Sequence, residues 1–121
     1  IWEGSLFASH HELSNFMVIV DENGFQAMGN TKDILALGSI QSKFESFGFE
    51  AITIDGHNER AIEKAIAELW NSDKKTPKAL IAKTVKGKGV DFMENDNSWH
   101  YTRLSQESYQ KALLSLNNGD I

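Results

Sequence analysis

The 121-residue chain contains no cysteine and a single proline, Pro77. The first absence excludes a disulfide framework and any thiolate metal centre, and it fits a protein of the cytoplasm. Long apolar runs are also missing. The longest, Phe16 to Val20, is five residues, against about 20 for a bilayer span, and no signal peptide is expected. Positive charge is scarce: 12 lysines and arginines face 17 acidic residues, for a net charge of −5. That balance speaks against nucleic acid or an anionic membrane as the main partner. Internal repeats and low-complexity tracts are absent. What remains is 40% hydrophobic and 24% charged, an ordinary globular composition, and residues 1–121 read as a single α/β domain.

The chain opens on Ile1-Trp2-Glu3-Gly4 rather than on a methionine. Trp2, Leu6 and Leu13, with Phe7 and His10 beside them, recur at helical spacing from the outset. A helix entered partway along is expected there, as in a fragment of a longer protein.

Phe16-Met17-Val18-Ile19-Val20 is apolar at every position and rich in β-branched residues, which predicts a strand covered on both faces. Asn23-Gly24 behind it suits a turn, although no alternating partner strand follows at once. Ser39 is placed to cap a short helix in which Ile40, Phe44 and Phe47 share a face, and Gly48 to end it. Phe49 to Ile54 reads as a second strand. From Glu59 to Trp70, the residues Ala61, Ile62, Ala65, Ile66, Leu69 and Trp70 form an apolar stripe opposite Glu63, Lys64 and Glu68, the clearest amphipathic helix in the sequence. Ala79 to Ala82 is a third strand, and Ser105 to about Leu116 a last helix. Alternating helices and strands predict a three-layer α/β/α fold with a mostly parallel sheet.

Parallel sheets bind ligands at the carboxyl ends of their strands. Here those ends lead into Asp21-Glu22-Asn23, Asp55-Gly56-His57 and Lys83 to Gly89. Between Lys74 and Lys88 lie six lysines and no acid. Lysines interleaved with glycines after a strand suit a phosphate, and they equally suit a solvated basic loop. Asn23 offers an amide oxygen that could ligate Mg²⁺ or merely close a turn. From Val85 to about Leu104 no regular secondary structure is evident, a length at which loops are usually functional or disordered. That stretch carries Trp99-His100-Tyr101. His10 and His11, about 100° apart on a helix, cannot grip one metal together, and His57 reads as a loop or helix-start residue.

Taken in order, Asp21-Glu22-Asn23-Gly24-Phe25-Gln26-Ala27-Met28-Gly29-Asn30-Thr31, Phe47-Gly48-Phe49-Glu50, Ile54-Asp55-Gly56-His57, Ile81 to Val90, and Phe92-Met93-Glu94-Asn95 with Ser98-Trp99-His100 resemble the thiamine-diphosphate-binding domain of transketolases. The likeness is greatest to those whose halves are separate N- and C-terminal subunits, and it covers nearly the whole chain. It implies that Asn23 closes a cofactor motif that opens with Gly-Asp-Gly, its side-chain oxygen ligating Mg²⁺, with the Phe25 backbone carbonyl as a further ligand. The sequence itself contains no Gly-Asp-Gly. Lys86 and His100 match the lysine and histidine near the diphosphate and the reacting centre. Tyr101 stands where the family commonly has glycine.

The resemblance further implies a Mg²⁺- and thiamine-diphosphate-dependent transferase of the cytoplasm that moves a two-carbon ketol unit between sugar phosphates. Its catalytic glutamate would come from a pyrimidine-binding domain or subunit, within a dimer when complete. The 121 residues alone would then be inactive. Two alternatives stand beside this reading. One is another thiamine-diphosphate enzyme, of the deoxyxylulose-phosphate synthase or ketoacid dehydrogenase type; the other is a non-catalytic α/β module that binds a partner.

Overall fold

The computed structural model describes residues 1–118; residues 119–121 lie outside the described residues. In chain order the elements are α1 (Trp2–His10), β1 (Met17–Glu22), β2 (Phe25–Gln26), β3 (Gly29–Asn30), α2 (Thr31–Ile34), α3 (Ile40–Ser46), β4 (Glu50–Asp55), α4 (Glu59–Trp70), β5 (Lys78–Lys83), a 3₁₀ helix (Asn97–His100) and α5 (Gln106–Asn118). Two compact units emerge from their packing. One comprises residues 1–22 and 37–84, the other residues 23–36 and 85 onward.

The first unit is built on a parallel sheet in the order β1-β5-β4. Successive side chains of a strand point to opposite faces, and β5 uses both. Ala79 and Ile81 pack with Ala8 of α1 and with Phe44 and Phe49 around α3. Leu80 turns the other way, onto Ala65 and Leu69 of α4. Helices thus cover both faces, as the alternation of elements predicts.

The strand expected to be covered on both faces is not the central one. Among the described residues β1 lies at a sheet edge, with Ile19 63% exposed. The central place belongs to β5, whose Ala79, Leu80 and Ile81 are all buried. Among the described residues only β5 has a neighbour on each side, and there the apolar residues of both faces are enclosed.

Local signals set the helix ends. The Ser39 side chain accepts the Ser42 N–H at 3.1 Å and opens α3. Gly48 follows α3 with φ +87°, a left-handed backbone that favours glycine, and a β-carbon there would displace the Ser9 hydroxyl. Asn58 caps α4 by accepting the Ala61 N–H at 3.1 Å. The α4 stripe is narrower than its pattern: Ala65 and Leu69 are buried, whereas Trp70 is exposed. In α1 the small residues Ser5 and Ala8 are the buried ones, and Leu6 and Phe7 are exposed. Trp2 lies against Phe47 and Phe44, with ring centroids 5.4 and 5.5 Å away.

The second unit contains a small antiparallel hairpin, β2 with β3, pairing Phe25 with Asn30 and Gln26 with Gly29. Its four paired residues are too few to show an alternating pattern. The Thr31 N–H and hydroxyl both donate to the Gly24 carbonyl, at 2.9 and 3.1 Å, and close the hairpin at its base. Asn30 then caps α2, accepting the Lys32 N–H. The segment expected to lack secondary structure is a run of turns ending in the 3₁₀ helix. Within it, Val90, Met93 and Asn95 donate N–H groups to the carbonyls of Gly87, Val90 and Lys86. Ser105 and Ser108 cap α5 reciprocally, each backbone N–H donating to the other's hydroxyl.

Candidate functional site

Parallel register brings Glu22, Lys83 and Asp55 to the same edge of the sheet, in the order of their strands. This is the carboxyl edge, where α/β sheets present their loops. A polar recess of about 310 Å³ opens there within the first unit, lined by Glu22, Ser39, Gln41, Thr53 and Lys83. The Thr53 hydroxyl donates to the Gln41 side-chain oxygen at 2.6 Å, a pair twelve residues apart that no local pattern announces. His57 follows β4 in a turn where its N–H donates to the Asp55 carboxylate at 2.9 Å, one residue before the α4 cap.

Asn23, Phe25, Lys86 and His100 all fall in the second unit. The half-buried Asn23 accepts the Phe25 N–H on its side-chain oxygen at 2.9 Å. One turn therefore holds the amide oxygen and the Phe25 backbone next to each other. The half-buried Lys86 lies two residues past the end of the first unit, its carbonyl accepting the Asn95 N–H at 2.9 Å. His100 ends the 3₁₀ helix and is exposed, its ring edge-on to Tyr101 with centroids 4.7 Å apart. Trp99 beside it is half-buried and packs edge-on against Phe92 at 5.2 Å.

Further hydrogen bonds connect these segments. Asp96 caps the 3₁₀ helix by accepting the Ser98 N–H at 2.9 Å. Hydrogen bonding to Ser98, aided by the positive charge of Lys86, holds the Asp96 carboxyl below its usual range. The Asn97 side-chain amide donates to the Ala27 carbonyl, in the tip of the hairpin, at 3.2 Å. Neither Asp96 nor Asn97 stands out in the sequence. Their one signal is Asp-Asn-Ser ahead of an aromatic pair, an ordinary cap pattern.

The glycines among the lysines have an internal cause. Gly87 has φ +75°, and a β-carbon there would sit 2.5 Å from the Met93 carbonyl oxygen. At Gly89 the close neighbour is Leu116, 3.1 Å away. At both glycines the chain's own backbone or side chains lie where a β-carbon would stand. Several of the six lysines are likewise engaged: Lys74 and Lys78 pair with Glu50, and Lys88 with Glu94. Among the described residues, no group of three or more His, Asp or Glu side chains is placed to hold a metal ion, and no helix is long and apolar enough to cross a membrane.

The parallel sheet of the first unit, covered by helices on both faces, defines an α/β fold of the class that takes its ligands at the carboxyl edge of the sheet. The family model for the transketolase thiamine diphosphate binding domain matches residues 2–116, and the chain belongs to that family. It is 35% identical over 116 residues to the transketolase of Homo sapiens, covering 96% of this chain and 18% of that protein. It is 30% identical over 113 residues to one subunit of the apulose-4-phosphate transketolase of Phocaeicola vulgatus, covering 93% of this chain and 40% of that relative. The crystal structure of transketolase from Campylobacter jejuni superimposes with a TM-score of 0.86 at 30% identity, over 96% of this chain and 18% of that one. The chain thus spans well under half the length of the relatives it matches.

Proposed function

We propose that residues 1–121 form one α/β domain, part of a transketolase-like enzyme that binds thiamine diphosphate with Mg²⁺ and transfers a two-carbon ketol unit between sugar phosphates. The observation that carries this reading is the continuous family match over both units, which includes Asn23, Phe25, Lys86 and His100. Relatives named for a sugar phosphate, and named as one subunit of a transketolase, support the substrate class and a partner chain. That partner would contribute the pyrimidine-binding part and the catalytic glutamate, in a dimer located in the cytoplasm.

The residues present fit such a cofactor in part. Mg²⁺ takes hard oxygen ligands and bridges phosphates, and the Asn23 side chain and the Phe25 backbone bring two neutral oxygens from one turn. Two neutral donors leave the ion's charge to be met by the diphosphate and by a carboxylate outside this set. Lys86 would add a cation for the diphosphate, and the exposed His100 would hold or pass a proton near the reacting centre. Thiamine diphosphate, once bound, supplies the thiazolium that stabilises a carbanion. The chain's own part is to bind and orient it.

The test is ketol transfer from a ketose phosphate to an aldose phosphate, measured with the complete enzyme. Asn23→Ala should weaken thiamine diphosphate binding, most visibly at low Mg²⁺, and His100→Ala should slow turnover at saturating cofactor. Cofactor affinity indifferent to Asn23→Ala and to Mg²⁺ would overturn the reading.

A further inference from the structure

Three segments of the second unit carry the proposed cofactor residues, and one short stretch touches all of them. The hairpin holds Asn23 and Phe25 at its base, the turn after β5 holds Lys86, and the 3₁₀ helix ends in His100. Asp96 opens that helix and lies within reach of the Lys86 charge. Asn97, the helix's first residue, donates its side-chain amide N–H to the Ala27 carbonyl at the hairpin tip, 70 residues away in sequence. This bond ties the hairpin directly to the segment that carries the histidine.

We propose that Asn97 is a positioning residue: its amide clamps the hairpin bearing Asn23 and Phe25 to the 3₁₀ helix bearing His100, so that cofactor and substrate ends of the site form together. This rests on the functional reading above and adds a residue to it. The Asn97–Ala27 bond itself lies at the exposed surface, and two features describe how the amide is held there. The Asn97 residue is half-buried, and its side-chain oxygen is fully shielded from solvent with no hydrogen-bond partner. The amide is therefore held by its N–H side alone. A hairpin of two paired residues per strand has little stability of its own, so one outside hydrogen bond weighs heavily on where it sits.

Asn97→Ala removes the donor, Asn97→Asp replaces it with a charge facing a carbonyl, and Asn97→Gln restores an amide on a longer arm. Amide exchange on the 121-residue chain is the first measurement. Loss of one ordinary hydrogen bond corresponds to about a three- to tenfold change. The alanine and aspartate variants should exchange the Asn30 and Thr31 amides faster by that factor, with glutamine partly restoring them and the β5 amides unmoved. The second measurement is a chemical-shift titration with Mg²⁺ and thiamine diphosphate at millimolar concentration. In the wild-type chain the Phe25 amide and the His100 ring should shift with one common apparent Kd; in Asn97→Ala the His100 response should separate from that of Phe25. Hairpin exchange unchanged in both variants overturns the clamp, whatever the cofactor does. Accelerated exchange with the Phe25 and His100 shifts still following one common apparent Kd in Asn97→Ala would keep the clamp as a structural tie and overturn its role in the site.

Discussion

Lys78 and Glu50 stand opposite each other as the first residues of adjacent parallel strands, and their side chains form an ion pair of 2.9 Å. The Lys78 side chain is only 1% exposed. Its ammonium has two acceptors, the Glu50 carboxylate and the Lys74 carbonyl at 3.1 Å. Glu50 is better supplied, since Lys74 also reaches it at 3.1 Å. The pair is thus asymmetric: the carboxylate keeps a second cation if Lys78 is lost, but among the described residues the lysine keeps no second anion if Glu50 is lost.

Glu50→Gln should accordingly destabilise the chain by about 2–4 kcal/mol, because it leaves a buried ammonium without a counter-charge. Lys74→Ala, at an exposed pair, should cost less than about 1 kcal/mol. Urea unfolding of the two variants measures the difference, and equal effects would show that Lys78 does not depend on Glu50.

Acid should expose the same pair. Partial burial pushes the Glu50 carboxyl upward, but hydrogen bonds from Ser72, Lys78 and Lys74, with the Lys78 charge, outweigh it and bring the value from 4.5 down to about 2. A group depressed in the folded state contributes fully above its unfolded value, and that contribution is lost as pH falls through the folded one. Stability should therefore decline from about pH 4.5 toward pH 2, and Glu50→Gln should flatten that part of the profile. Urea midpoints across the window, for both proteins, test the sign.

Two glycines should respond in opposite directions to alanine. Gly87→Ala puts a β-carbon against the Met93 backbone at positive φ, with an expected loss of about 1–3 kcal/mol. Gly4 lies within α1 with nothing near its missing side chain, so Gly4→Ala should add about 0.5–1 kcal/mol. Thermal unfolding of each variant decides.

Mg²⁺-dependent binding of thiamine diphosphate to the 121 residues alone should be weak. The sequence holds no Gly-Asp-Gly, hence not the aspartate expected to share the ion with Asn23, and one missing carboxylate removes much of the charge that holds a divalent cation. Calorimetry should show no micromolar affinity; finding it would place the whole metal site within these residues.

The main elements were legible from residue pattern because their signals are local. Ser39, Gly48 and the α4 stripe act over a turn or two of helix, and the structure has α3 and α4 where those residues place them. The β2–β3 hairpin and the 3₁₀ helix were not legible. Each spans four paired or helical residues, too few for a hydrophobic period to register. The cofactor family was legible too, through short groups of residues in fixed order rather than through any one of them.

The sequence by itself determined the order of the longer helices and strands, the parallel α/β class and the family, since propensity, capping and spacing are properties of neighbours along the chain. Tertiary structure alone decided which strand is central. Phe16 to Val20 is the longer apolar run, yet β5 is enclosed, because burial depends on having a strand on each side. It also decided what the lysines and glycines in and after β5 do. Lys78 is buried against Glu50 and Gly87 is pressed on Met93, contacts that exist only once distant parts of the chain, or the two ends of one loop, are brought within a few ångströms.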